Sequence, residues 1–133
     1  MNNVNLIRGP VVGLASATSA NGTARDGTAI QPGIFAPGSI GVRCSATIVT
    51  GSVVATFKVQ VSQDNSTFYD LKPMNNAASV TITATGDVVL SVDSAAHSWR
   101  FLRVVGTLSG AVTAAGDLTS ADYYALDLRA VTR

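Results

Sequence analysis

Glutamate is absent from this chain, and lysine occurs only as Lys58 and Lys72. Those residue types furnish most solvated helix faces, so long surface helices are not expected. Charged residues make up 13% of the sequence, against about 25% in an ordinary soluble domain. Cysteine occurs once, as Cys44, which rules out an internal disulfide and any zinc site built on several cysteines. Histidine and tryptophan also occur once each, as His97 and Trp99, and aromatic residues reach only 6%. No apolar run approaches the roughly 20 residues of a membrane-spanning helix. The opening Met-Asn-Asn-Val-Asn has no basic stretch leading into an apolar core, so no secretory signal is expected.

What fills the chain instead is Val, Thr, Ser, Ala and Gly. Val and Thr are stiff at the first side-chain torsion and suit a pleated surface, so composition alone points to β structure. A length of 133 residues is one domain, large enough to bury a core without a staple. The net charge is +1 and the arginines are scattered, so the clustered cations of a nucleic-acid partner are missing. A neutral, weakly charged exterior leaves a lone monomer poorly soluble. It suits a surface that neighbouring proteins cover.

Two regions differ in pattern. Residues 1–38 hold Val4 to Ile7, then turn signals at Asn21-Gly22, Asp26-Gly27, Pro32-Gly33 and Pro37-Gly38. Proline cannot donate to a central ladder, so this stretch is expected to be an extended N-terminal arm with one or two short strands. Residues 39–133 are expected to form the β-sandwich proper. Val42, Cys44, Ala46 and Ile48 alternate with Arg43, Ser45 and Thr47, which reads as a half-buried strand with Cys44 facing in. Val53, Ala55, Phe57, Val59 and Val61 alternate with polar partners including Lys58 and Gln60, so the register of that strand is strongly set. Further strands are expected over residues 67–71, 80–84, 88–92, 99–108, 111–115 and 123–129. The stretch from Trp99 to Leu108 is apolar on both faces, as in a strand lying between two layers. Ser94 to Ser98 or Ser120 to Tyr123 has room for one helical turn. About eight strands at this spacing predict an all-β fold, an antiparallel, jelly-roll-like β-sandwich.

No catalytic residue, metal ligand or cofactor site emerges. His97 lacks a positioned nucleophile and orienting acid. Cys44, on an inward face, is expected to be a packed core residue. Asp64, Asn65 and Asp70 offer too few oxygens for calcium, and Asp64-Asn65 is better suited to closing a tight turn. Trp99, Phe101, Phe57, Phe68 and Tyr69 could form a stacking platform but are expected mainly in the core. Tyr69, Tyr123 and Tyr124 are expected at the surface, because tyrosine has a polar tip that can stay wet. Arg8 and Arg25, with Tyr123 and Tyr124, are the expected partner contacts, since arginine and tyrosine favour interfaces.

The run from Phe57 to Asp70, aromatic-x-Val-x-x-Ser-x-Asp-x-x-x-aromatic, is followed by Trp99-Arg100-Phe101-Leu102-Arg103-Val104. This pair resembles a hairpin and partner strand of small β-sandwich virion proteins of tailed bacteriophages, and is more weakly similar to discoidin-like sandwich modules. The resemblance implies a non-enzymatic decoration, or cement, protein. Such a protein is made in the host cytoplasm, binds the outer capsid surface, bridges capsomers of the major capsid protein and commonly acts as a homotrimer. The alternatives are a carbohydrate- or receptor-binding module of a tail or head fibre, which requires exposed aromatics at one end of the sandwich, and a tail or connector subunit.

Overall fold

The computed structural model describes residues 11–35, 40–72, 79–92, 96, 98–112 and 116–125. Among them lie nine strands: β1 (Val11–Ala17), β2 (Ala24–Asp26), β3 (Ile40–Thr47), β4 (Val54–Ser62), β5 (Tyr69–Leu71), β6 (Val80–Ile82), β7 (Gly86–Val92), β8 (Phe101–Ser109) and β9 (Leu118–Ala125). The first sheet runs β1-β9-β3-β7. The second runs β2-β8-β4-β5, with β6 also paired to β4. All pairings are antiparallel. The two sheets pack against each other as an all-β sandwich.

The core follows from side-chain alternation. Ile40, Val42, Cys44 and Ala46 point inward from β3, and Ala55, Phe57, Val59 and Val61 from β4. Leu90 and Val92 of β7, Leu102, Val104 and Leu108 of β8, and Ala121 and Tyr123 of β9 complete the contact. Lys58 and Gln60 face outward from β4, as the register argument requires. Phe57 is wholly enclosed, so Phe57→Ala would remove about 3–5 kcal/mol of stability.

The stretch expected as an N-terminal arm carries two strands, and both pair within the sandwich. β1 is an edge strand of the first sheet and β2 of the second, so residues 11–26 pass from one layer to the other. Leu14 belongs to the core. The alternation that would have announced β1 is broken by register shifts between Val12 and Leu14 and between Leu14 and Ala17. Residues 1–10, with Val4 to Ile7, lie outside the described residues.

Three other expectations change. Ser120 to Tyr123 is strand, not a helical turn, and the last strand begins at Leu118. Its inward residues are Thr119, Ala121 and Tyr123, too small or too polar to read as an apolar stripe. Leu126 and Leu128 lie outside the described residues, as does most of Ser94 to Ser98. Ala111 and Val112 are not in a strand. β8 is central within its sheet, but among the described residues no third layer covers its outer face. Phe101, Arg103 and Thr107 there are half-buried, and buried Val105 lines a shallow groove of about 450 Å³ with Thr56, Lys58, Asp70, Ser79 and Thr107.

Candidate functional site: an aromatic end and a weakly charged face

The partner contacts expected from sequence divide sharply. Tyr123 is fully buried, which corrects its expected place at the surface. Its hydroxyl crosses the interior. β2 leaves β8 at Gly27, and pairing returns only at Ile30, opposite Leu102. In that gap the Val104 N–H donates to the Tyr123 hydroxyl at 2.8 Å, and the hydroxyl donates to the Thr28 carbonyl at 3.2 Å. A buried N–H must find an acceptor, and this hydroxyl supplies it. Glycine is required beside it. A Cβ on Gly13 would lie 2.5 Å from the Tyr123 ring, and one on Gly27 would lie 2.6 Å from the Gly13 and Val104 carbonyl oxygens.

Arg25 also serves the fold. From β2 in the second sheet it donates to the Ala15, Ala17 and Thr119 carbonyls and to the Thr119 hydroxyl of the first sheet. The register of β1 shifts between Leu14 and Ala17, across the stretch of this edge strand that holds the Ala15 and Ala17 carbonyls. Burial lowers the Arg25 pKa from its ordinary value. Tyr124 is half-buried on β9, opposite Gly41 of β3. Arg8 and His97 lie outside the described residues.

Asp64 and Asn65 close the β4–β5 turn as expected. Asp64 accepts from the Ser66 and Thr67 N–H groups at 2.9 and 2.8 Å and from the Ser62 hydroxyl, while Asn65 takes the left-handed φ of 59°. The Thr67 and Ser66 N–H groups hold the Asp64 carboxyl below its usual range. Cys44 is buried, and burial pushes its thiol up to about 12. Asp117 shows no sequence signal. It is buried, and it accepts from the Val49 and Thr50 N–H groups and the Thr50 hydroxyl, closing the β3–β4 loop from 68 and 67 residues away. Among the described residues no three His, Cys, Asp or Glu side chains gather as a ligand set.

Two surfaces stand out. The first is the start of β8 and the tip of the β4–β5 hairpin, the two segments singled out in the sequence. Register places Phe101 opposite Ser62 and Tyr69 opposite Val61. Phe57 alone of the expected stacking residues is core, while Phe68, Tyr69, Trp99 and Phe101 gather at this end. Tyr69 is 56% exposed, and its ring centroid lies 6.0 Å from that of Trp99 at a tilt of 49°. The Arg103 guanidinium stacks 3.7 Å from the Phe68 centroid, and that of Arg100 lies 5.9 Å from Phe101. Arg103 is also held by Gln60 and Asp26, and Gln60 by Asp70, so a polar row crosses all four main strands of the sheet. Alternation along β4 and β8 was the signal that could have separated Phe57 from Phe101 in advance.

The second surface is the outer face of the first sheet. Ser45, Ser91, Ser120, Tyr124, Val12 and Val89 lie there, the two valines 60% and 40% exposed. Its central charges cancel, because Arg43 donates to Asp122 at 2.7 Å, directly across from it. Exposed Asp87, opposite Ser45 on this face and within reach of the Arg43 charge, adds one carboxylate, so the face consists mainly of small side chains with few charges.

Comparison with protein-family models, curated proteins and solved structures finds no match to this chain.

Proposed function

We propose that this chain is a non-enzymatic structural protein of a virus particle, of the decoration type. It attaches to the outside of an assembled shell, bridges neighbouring copies of the major capsid protein and raises the barrier to rupture. The observation that carries this reading is the outer face of the first sheet, with exposed Val12 and Val89 around a neutralised Arg43–Asp122 pair. A face of this kind loses little solvation when another protein covers it. The small charged fraction of the chain agrees with such covering. Many modest contacts repeated by the symmetry of a shell add to firm attachment without a deep pocket. A trimeric state suits a subunit that bridges capsomers, and the site of action is the capsid surface.

The test is attachment to shells stripped of this protein. Val12→Lys and Val89→Lys together place two charges on exposed positions, leaving the fold intact and lowering shell occupancy severalfold. Unchanged occupancy in the doubly substituted, folded protein would contradict the assignment of this face.

A further inference from the structure

We propose that the aromatic end of the second sheet binds an acidic carbohydrate, with Tyr69 and Trp99 against a sugar ring and Arg100 paired to its carboxylate. This goes beyond attachment to a shell. It uses one end of the second sheet, where Tyr69 shares the side of Val61 and Trp99 packs against the core, and not the outer face of the first sheet assigned to that attachment.

Half of the chain's aromatic residues gather at this one end, although aromatics are only 6% of the sequence. The core does not need them, because Val, Leu and Ile fill it with Phe57 and Tyr123. Trp99 packs one flank against the rim of the core, which fixes its ring. Tyr69 stands out beside it, and the 49° tilt keeps the two rings from closing face to face. A sugar presents an apolar C–H face and a polar rim of hydroxyls. Aromatic walls suit the former, and a few placed polar groups suit the latter. One such group is the Gln63 amide, exposed next to Trp99, which donates to the Ser98 carbonyl at 3.4 Å. Its second N–H and its carbonyl oxygen are suited to sugar hydroxyls.

Charge selects the acidic class. Arg43, Lys58 and Arg103 each face a carboxylate of the chain. Arg100 is exposed over Phe101, with no carboxylate partner among the described residues. A guanidinium binds a planar carboxylate with two parallel hydrogen bonds, and the neighbouring ring keeps it oriented. Single-stranded nucleic acid also stacks on aromatics, but it requires a track of cations along its backbone. Arg103, the other cation here, is already engaged by Asp26, Gln60 and Phe68.

Trp99 is the only tryptophan, so intrinsic fluorescence reads this site directly. The isolated chain is titrated with sialyllactose, with trigalacturonate, with lactose and with a ten-residue oligothymidylate. A saturable change in Trp99 emission is expected with at least one acidic sugar, at least tenfold tighter than with lactose or the oligonucleotide. Tyr69→Ala and Arg100→Ala, both at exposed positions, each weaken it at least tenfold with near-ultraviolet circular dichroism otherwise preserved. Methyl esterification of the bound sugar's carboxylates abolishes binding to the unaltered chain, which tests the same contact should a variant misfold. The proposal is overturned if neither acidic sugar gives saturation, if lactose or the oligonucleotide binds as tightly, or if esterification or Arg100→Ala changes nothing. No shell enters this measurement, so its failure leaves the attachment reading standing.

Discussion

Tyr123 joins the two sheets through a single hydroxyl, accepting from Val104 and donating to Thr28. Tyr123→Phe keeps the ring and its packing but leaves the Val104 N–H buried without its acceptor. The expected loss is about 1–3 kcal/mol, measured as a lower urea midpoint at unchanged slope. Cys44 carries a pH dependence. Burial keeps its thiol protonated in the folded chain up to about 12, whereas in the unfolded chain it ionises near about 8.5. Between those limits the unfolded state releases a proton that the folded state keeps. The stabilisation is therefore complete below about pH 8.5 and declines as pH rises through that window. Burial raises Tyr123 in the same direction, and its decline begins near about pH 10, where an unfolded tyrosine ionises. Urea midpoints between pH 7 and pH 10 should fall in the parent chain, and more gently in Cys44→Ala. Equal slopes would show that Cys44 does not titrate in this way.

Among the elements, the loops depend on polar side chains as much as the strands depend on apolar ones. Asp117 holds the β3–β4 loop through two N–H groups and a hydroxyl. Asp117→Ala should destabilise the fold by about 1–3 kcal/mol, with amide exchange at Val49 and Thr50 in the loop accelerating before that of β3. β3 and β4 were legible in the sequence, because strict alternation of Val, Ile, Phe and Cys with polar partners admits one register. β1 and β2 were not. β1 contains shifts around Gly13, and β2 is three residues long, so neither carries a usable period. The start of β9 was hidden because its inward residues are Thr119, Ala121 and Tyr123. Asp117 could not be read at all, since its partners lie in a loop distant in sequence. The Asp64-Asn65 turn was legible because its chemistry is local. The aromatic end was legible only in part. The Phe57–Asp70 and Trp99–Val104 segments stood out together, yet only the register of β4 with β5 and β8 separates buried Phe57 from the cluster at the surface. Arg25 and Tyr123 stood out as potent side chains, but sequence could not tell that the fold itself occupies them.

As a whole molecule the sandwich presents two unlike surfaces. The first sheet turns outward a face of Ser and Val with few charges, the Arg43–Asp122 pair and Asp87, suited to being covered. The second carries a row of linked polar groups from Asp26 to Asp70, which adjoins exposed Tyr69 in sequence. Such a division suits a subunit that rests on one layer and faces outward with the other. The most direct test of the central proposal is the copy number and position of this chain in a purified particle, read by quantitative mass spectrometry and image reconstruction. A decoration protein is expected in many symmetry-related copies across the outside of the shell, with the first sheet toward it. Six or twelve copies at a single vertex, or none in the particle, would contradict that account.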